Sequence, residues 1–522
     1  MAGADPARAL AREALAAIPG ERLARWLAGR RWFGAKGRAP RAARIGRVIP
    51  LPWPGGPFAL AVLEVELGEG VVWRYQLPLV GRGEGRGARG ENAGSGAGDR
   101  GRDTHADVLR ESDGVVIVDA TEDEAFRAAL LEAMLRGETV EGDGVRLVFE
   151  SVAPRPSSLA PRPSRLGAAE QSNSSIIYGD AAILKLFRRL EPGENPDVEI
   201  ARFLTTRTDF RNTPELLGVA RLEEGGERAV AAMLSRYVPS TGDAWSHALE
   251  RARAYLRAPG TAEPPDPFAA EARELGRVTR ALHEALASDE NDPAFAPTYA
   301  GDADVERWAD GAREMMTGAL DLLATRVRAL DARSRAPAQA LLGRRAALLR
   351  RLDEIADEVA DEVTEHGDAG LLVRHHGDFH LGQVLRTTGG DWMIIDFEGE
   401  PARSLEERRA RHSPLRDVAG MMRSFAYAAA TAAGEVAGTA VNPTVEVRAA
   451  RWERDARAAF LDGYMHRVDD DEPDTLLPDT PQGSEALLTL FEIEKIFYEL
   501  SYELNNRPTW AWIPLRGIAK LF

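Results

Sequence analysis

The hydrophobic periodicity of this 522-residue chain changes partway along its length, and that change limits the folds open to it. The first part carries short apolar runs bounded by turn residues: Phe58 to Leu67, Gly70 to Leu79, Val115 to Asp119 and Val145 to Val152. These predict strands, with a helix over Glu122 to Leu135 between the last two. Ala168 to Tyr237 reads as strand, strand, helix, strand. From Pro267 onward the spacing is helical nearly throughout, over Phe268–Ala287, Asp302–Ala332, Ala336–Val363, Asp417–Ala433, Val445–Val468 and Glu485–Leu504. A sheet-bearing part followed by a helical part is an α+β arrangement. A chain of this length exceeds one hydrophobic core, so two or three domains are expected.

Two segments do not fit a packed core. Gly81 to Arg102 is rich in Gly, Arg and Ser and reads as a flexible insert, and Ala153 to Pro163 is a Pro-rich connector. Within the insert, Gly85-Arg86-Gly87-Ala88-Arg89-Gly90 matches G-x-G-x-x-G. More Gly and Asn follow where a dinucleotide site would open a helix, so it reads as linker. The formal charge is -16 and no basic stripe stands out, which argues against nucleic acid as a partner. With no cysteine, disulfides, thiolate metal sites and cysteine nucleophiles are excluded. Met1 to Trp26 lacks the apolar core of a secretory signal, and no run has the roughly 18 apolar residues of a membrane span, so a cytoplasmic protein is expected.

The segment Val373-Arg374-His375-His376-Gly377-Asp378-Phe379-His380-Leu381-Gly382-Gln383 carries the most chemistry, followed by Ile394-Ile395-Asp396-Phe397-Glu398. Phosphoryl transfer needs a carboxylate to orient the acceptor hydroxyl and take its proton, and oxygen ligands for magnesium across the phosphates. Kinases supply these from a loop H-x-D-x-x-x-x-N and an acidic residue at the end of the next strand. His376, Asp378 and Gln383 keep that spacing with Gln in place of Asn. The apolar run before Asp396 predicts the strand. Taken singly, each residue fits an acidic turn; their order and spacing favour Asp378 as base and Gln383 and Asp396 as metal ligands. His376 and His380 stand four apart, but Gly377 makes the helix that a zinc pair would need unfavourable.

The nucleotide side is expected upstream. A lysine inside an apolar strand, Lys185 in Ala182-Ile183-Leu184-Lys185-Leu186-Phe187, is costly to bury unless it meets an anion. Kinases use such a lysine on the α- and β-phosphates and pair it with a glutamate on the next helix, here Glu199; an edge-strand lysine reaching solvent is the alternative. The turn Ser172-Asn173-Ser174 replaces a Gly-rich loop and would cradle phosphate through N–H and hydroxyl groups. Arg236 to Val238 falls where a kinase joins its lobes and binds adenine.

Near the C-terminus, Phe491, Lys495, Tyr498, Tyr502 and Asn505 share one helix face with Glu494 beside it, and Arg507, Trp510 and Trp512 follow. Aromatics that stack on sugar rings and polar groups that bond hydroxyls would suit a carbohydrate. An aromatic stripe inside a helical core is the commoner use of such a pattern.

Several segments resemble the maltokinases. They are Arg31-Trp32-Phe33-Gly34, Glu170-Gln171-Ser172-Asn173-Ser174, His376 to Gln383, Asp396-Phe397-Glu398-Gly399-Glu400-Pro401, Ser413 to Met421, and Tyr498 to Trp510. The resemblance covers nearly the whole chain apart from the insert and connector. It implies a protein-kinase-like bilobal fold: an N-terminal cap (1–80), the insert (81–113), a β-rich N-terminal lobe on the ATP side (114–237) and a mainly helical C-terminal lobe (238–522). It implies ATP and Mg2+ as cofactors, maltose as acceptor, maltose 1-phosphate feeding α-glucan synthesis as product, and a trehalose synthase as a candidate partner. Under it Glu494, Tyr498, Tyr502 and Arg507 face the substrate, Asn505, Trp510 and His376 are counted with them although His376 also reads as a histidine bracing the loop rather than a base, and Asp417 braces the catalytic loop. Glucosamine or an aminoglycoside is the alternative acceptor, and a non-catalytic pseudokinase scaffold the alternative of another class. Asp396-Phe397-Glu398 departs from D-F-G, so protein-kinase-style switching of that loop is not implied.

Overall fold

A computed structural model describes residues 5–33, 40–68, 70–83, 108–112, 114–152, 163–167, 172–258, 267–366, 369–438, 442–466 and 475–522. The G-x-G-x-x-G hexapeptide, most of the insert, the Pro-rich connector up to residue 162, Gly34 and Glu170-Gln171 lie outside these residues. The chain divides into two compact units, residues 1–202 with 214–238, and residues 203–213 with 239–522.

The first unit holds two sheets. Strands β1 (Ala42–Leu51), β2 (Phe58–Glu66), β3 (Val72–Gly83), β4 (Val108–Ser112) and β5 (Val115–Asp119) form an antiparallel sheet in the order β1-β2-β3-β5-β4. The short N-terminal helices lay Leu15, Leu23 and Leu27 on it, with Trp32 and Phe33 against Tyr75 and Trp26 against Trp32. This alters two expected boundaries. The cap does not end at 80, because β5 pairs with β3 through Leu79↔Asp119 to Gly83↔Val115. Residues 108–112, expected as insert, form the strand β4.

The second sheet consists of β6 (Thr139–Gly142), β7 (Val145–Ser151), β8 (Ser164–Leu166), β9 (Ser174–Tyr178), β10 (Ala182–Leu186), β12 (Leu216–Glu224) and β13 (Glu227–Arg236), ordered β6-β7-β12-β13-β10-β9-β8. Between β10 and β12, the two-residue strand β11 (Arg189–Leu190) turns back to pair with β3 of the first sheet. The Glu124–Arg136 helix packs on this sheet through Phe126, Leu130 and Met134. Asp123 starts it by accepting the N–H groups of Ala125 and Phe126, and Gly137 ends it at φ 62°.

The second unit is helical. The Leu415–Ala437 helix is alanine-rich and buried along most of its length, and it packs against the Ala244–Arg257, Pro443–Met465 and Pro481–Asn506 helices. The Pro267–Leu286 helix crosses Pro443–Met465 at glycines: a Cβ on Gly463 would lie 1.9 Å from the Arg273 carbonyl oxygen. The single helix expected over Ala336–Val363 is two, Ala332–Gly343 and Arg345–His366, broken at Arg344. Strand β14 (Ser240–Asp243) pairs with β17 (Val384–Thr387), and β17 with β18 (Trp392–Ile394); β15 (Thr298–Tyr299) and β16 (Leu371–Leu372) form a separate pair. The hairpin β17–β18 joins the loop that ends at Gln383 to the segment that holds Asp396.

Candidate active site

The loop from Val373 to Gln383 has little secondary structure of its own, so its shape is imposed by what it bonds to. Asp417, fully enclosed in the first turn of the Leu415–Ala437 helix, supplies most of that. Its Oδ2 accepts the His376 N–H at 2.7 Å and its Oδ1 accepts the Gly377 N–H at 3.0 Å. His283 Nε2 stands 3.2 Å from Oδ2, and Tyr464 Oη stands 2.9 Å from His283 Nδ1. Burial alone would raise the Asp417 carboxyl, but the hydrogen bond from His283 and the neighbouring histidines hold it well below its ordinary value. Gly377 has φ 80°, a conformation open to glycine. A Cβ on Gly420 of the same helix would lie 2.6 Å from the Phe379 carbonyl oxygen, so this helix touches the loop directly.

His376 is buried, its Nε2 2.9 Å from the Ile395 carbonyl oxygen and its ring between Phe379 and Phe397. It braces the loop and does not line the acceptor cleft, which corrects its expected place among the substrate contacts. Asp378 is partly exposed. Lys495 Nζ lies 3.5 Å from its Oδ1, and His380 Nε2 lies 3.9 Å from its Oδ2.

Gln383 and Asp396 come together as the spacing predicts, the Gln383 carboxamide donating to Asp396 Oδ2 at 2.9 Å. Asp396 adopts φ 67°, a left-handed conformation uncommon outside glycine, asparagine and aspartate. Such strain persists where the surroundings over-determine it, commonly at functional positions. A Glu398 carboxylate oxygen lies within 4.8 Å of one from Asp396, adding an acidic group that the sequence reading left without a role. Carboxylates and a carboxamide are oxygen donors, the set a hard cation such as magnesium takes.

On the first unit, Lys185 sits in β10 with Asp197 Oδ2 2.9 Å from its Nζ, an acidic group two residues before Glu199. Asn195 fixes the start of the Pro196–Arg207 helix by accepting the Asp197 N–H. Ser172 and Asn173 form the turn before β9. Ser174 is the first residue of β9, and its hydroxyl accepts from Arg188 Nε at 2.8 Å. Arg236 ends β13 with its guanidinium on Glu215, 2.9 Å from Nε to Oε2, and Val238 is the last residue of the unit.

A cleft opens beside Asp378, walled by Phe491, Glu494, Lys495 and Tyr498 of the Pro481–Asn506 helix. Glu400, Arg403 and Arg416 close its other side. Their charges interlock. Glu400 Oε1 lies 2.7 Å from Lys495 Nζ and its Oε2 2.9 Å from Arg403 Nε, while Glu494 is paired with both Arg403 and Arg416. Burial would raise Glu400, yet Lys495 and Arg403 hold it down at about 2. Burial pushes the Tyr498 hydroxyl up to about 12, so it remains a donor at neutral pH.

Tyr502, Asn505, Arg507 and Trp510 lie further along, and the structure does not bring them into the cleft. Tyr502 is exposed, and Arg507 is bonded to Glu503 at 2.6 Å with its guanidinium over the Tyr502 and Trp510 rings. The cleft residues Glu400, Arg403 and Arg416 had no place in the sequence reading. The segments holding Glu400 and Arg416 were visible, Asp396 to Pro401 and Ser413 to Met421, and Arg403 lies just beyond the first, but nothing local pointed to a cleft.

Residues 26–123 match the model of the maltokinase N-terminal cap domain. That match ends at Asp123, the residue capping the Glu124–Arg136 helix, in keeping with the first sheet's extent. A glucosamine kinase of Streptacidiphilus jiangxiensis is 29% identical over 349 residues, 66% of this chain and 70% of the relative. One from Mycolicibacterium smegmatis is 27% identical over 354 residues, 66% and 76% of the two chains. A solved glucosamine kinase in complex with glucosamine, ADP and inorganic phosphate superimposes with a TM-score of 0.60 at 23% identity, covering 96% of this chain and 99% of the other. The fold is kinase-like. No helix among the described residues is long and apolar enough to cross a membrane.

Proposed function

We propose that this sugar kinase, a maltokinase-type cap joined to a kinase-like body, transfers the γ-phosphoryl group of ATP to a neutral sugar, with maltose the first candidate. The observation that carries the acceptor class is the charge balance of the cleft. Asp378, Glu400 and Glu494 face Lys495, Arg403 and Arg416, so the lining carboxylates already have cations beside them. An amino sugar's ammonium would need an uncompensated carboxylate there, whereas a sugar bearing hydroxyls alone needs donors and acceptors, which these paired groups retain. Tyr502, one helical turn beyond Tyr498, offers an exposed ring beside Arg507 and Trp510 for the second ring of a disaccharide, with Asn505 nearby in sequence.

In this reading Asp378 orients the acceptor hydroxyl and accepts its proton as the new O–P bond forms and the bond to ADP breaks. Gln383 and Asp396 hold magnesium, which when bound neutralises charge on the phosphate oxygens. Lys185, fixed by Asp197, takes the α- and β-phosphates. Ser172, Asn173 and Ser174 provide the phosphate turn, Glu199 on the helix after the lysine's strand serves as a carboxylate partner for that lysine, and Arg236 to Val238 meets adenine. Maltose 1-phosphate would serve α-glucan synthesis, with a trehalose synthase as the partner that supplies maltose.

The names of the curated relatives favour a second reading, glucosamine. One assay separates them: Mg-ATP with maltose, glucose, glucosamine or kanamycin, followed by ADP release and the mass of the product. A kcat/KM for maltose at least about tenfold above that for glucosamine is expected. The reverse order would replace the neutral-sugar reading with the amino-sugar one, and ADP release with none of the four would remove both.

A further inference from the structure

Lys495 stands between two carboxylates of the cleft. Its Nζ lies 2.7 Å from Glu400 Oε1 and 3.5 Å from Asp378 Oδ1, with the Tyr498 ring centroid at 4.9 Å. The two ends of this bridge differ in rigidity. Glu400 is buried and also held by Arg403, and Lys495 rises from a helix whose Ile493 and Ile496 are fully enclosed. Asp378 sits on an irregular loop held on both sides of it through backbone N–H groups, those of His376 and Gly377 on Asp417 and that of Leu381 on the Ser424 hydroxyl, and none of these bonds holds its carboxylate. Its carboxylate therefore takes its orientation from what meets it in the cleft. Lys495 Nζ stands 3.5 Å from Oδ1, while the nearer histidine nitrogen stands farther off, 3.9 Å from Oδ2. Lysine carries three donors, and the two carboxylates occupy two of them.

We propose that Lys495 is a positioning residue for phosphoryl transfer: anchored on Glu400, it holds Asp378 Oδ1 and leaves Oδ2 as the oxygen that takes the acceptor's proton. This rests on the kinase reading above. The sugar O–H gives its proton to Oδ2, and the oxygen's electron pair forms the bond to the γ-phosphorus. The bond from that phosphorus to the bridging oxygen breaks with its electrons leaving on ADP. Lys495 keeps its proton throughout, so its part is geometric and electrostatic.

The test compares wild type with Lys495→Met, Lys495→Arg and Glu400→Gln on whichever sugar of the panel the wild type phosphorylates. Misdirecting a base by a fraction of an ångström to an ångström reduces rate by up to about 100-fold. Lys495→Met is expected to lower kcat by about 10- to 100-fold while the KM for Mg-ATP stays within about threefold. Lys495→Arg, whose planar fork still spans two carboxylates, should recover part of that loss. Glu400→Gln, which removes the anchor but keeps the lysine, should lower kcat in the same direction and reports even if the methionine variant fails to fold. A purely structural ion pair would instead lower the melting temperature with kcat per folded enzyme unchanged. Lys495→Met retaining kcat within twofold, or raising only the sugar KM, would overturn the proposal while the kinase reading stands. A wild type that phosphorylates none of the sugars ends both.

Discussion

At the scale of single residues, the site rests on carboxylates whose surroundings give them different tasks. Asp378 is partly exposed on a loop beside the cleft, whereas Asp417 is sealed and spends its oxygens on two backbone N–H groups and His283. Asp378→Asn should therefore reduce kcat by at least about 1000-fold with little change in Mg-ATP affinity or melting temperature, because it removes the proton acceptor and little packing. Steady-state rates beside nucleotide titration check this. Glu400 differs again. Its carboxyl is held at about 2 against an ordinary 4.5, so its contribution to stability is present above about pH 4.5 and is lost as pH falls towards 2. That shift corresponds to a contribution on the order of 3 kcal/mol at neutral pH. Glu400→Gln should melt at a lower temperature than wild type at pH 7, with the two curves converging as the solution is acidified. A constant gap from pH 7 to pH 3 would show that the ion pairs of Glu400 add nothing to stability.

At the scale of elements, the helices of the second unit position the loop through close backbone contact as much as through side chains. Gly463 and Gly276 face each other where the Pro443–Met465 and Pro267–Leu286 helices cross, with added Cβ atoms 1.9 Å and 2.1 Å from the opposing carbonyl oxygens. Gly463→Ala must push these helices apart, at a cost of about 1–3 kcal/mol or more. The same two helices carry Tyr464 and His283, which lead to Asp417 and the loop. The expected outcome is a lower melting temperature together with reduced kcat, although no residue in the cleft has changed. This level of organisation was only partly visible in the sequence. Helical periodicity located the long helices, and the spacing from Asp378 to Gln383, with an apolar run before Asp396, is a local pattern that brings Gln383 and Asp396 into contact. The pairing of Lys495 with Glu400 has no local signature, because it joins a loop to a helix far along the chain. The cap was cut short for a similar reason: β5 follows the insert in sequence but pairs with β3 before it.

At the scale of the molecule, the groups assigned to the nucleotide and to the sugar lie on different units. Lys185 and Asp197 belong to the first, and Asp378, Glu494 and the rest of the cleft to the second. The two sets should fail in different ways when altered. Lys185→Met removes the cation placed for the phosphates and leaves Asp197 without its ammonium partner, so the KM for ATP should rise about tenfold or more and kcat should fall. The sugar KM should stay within about twofold. Glu494→Gln keeps the shape of the cleft wall while removing a charge shared by Arg403 and Arg416, so it should raise the sugar KM and leave that for ATP nearly unchanged. It also unbalances the cleft towards positive charge, which should weaken glucosamine more than maltose, since an ammonium is repelled where a neutral hydroxyl is not. Initial-rate measurements with each substrate varied at several fixed concentrations of the other resolve all of these constants. If Glu494→Gln improved glucosamine relative to maltose, the charge argument for a neutral acceptor would fail, even with the division of labour between the units intact.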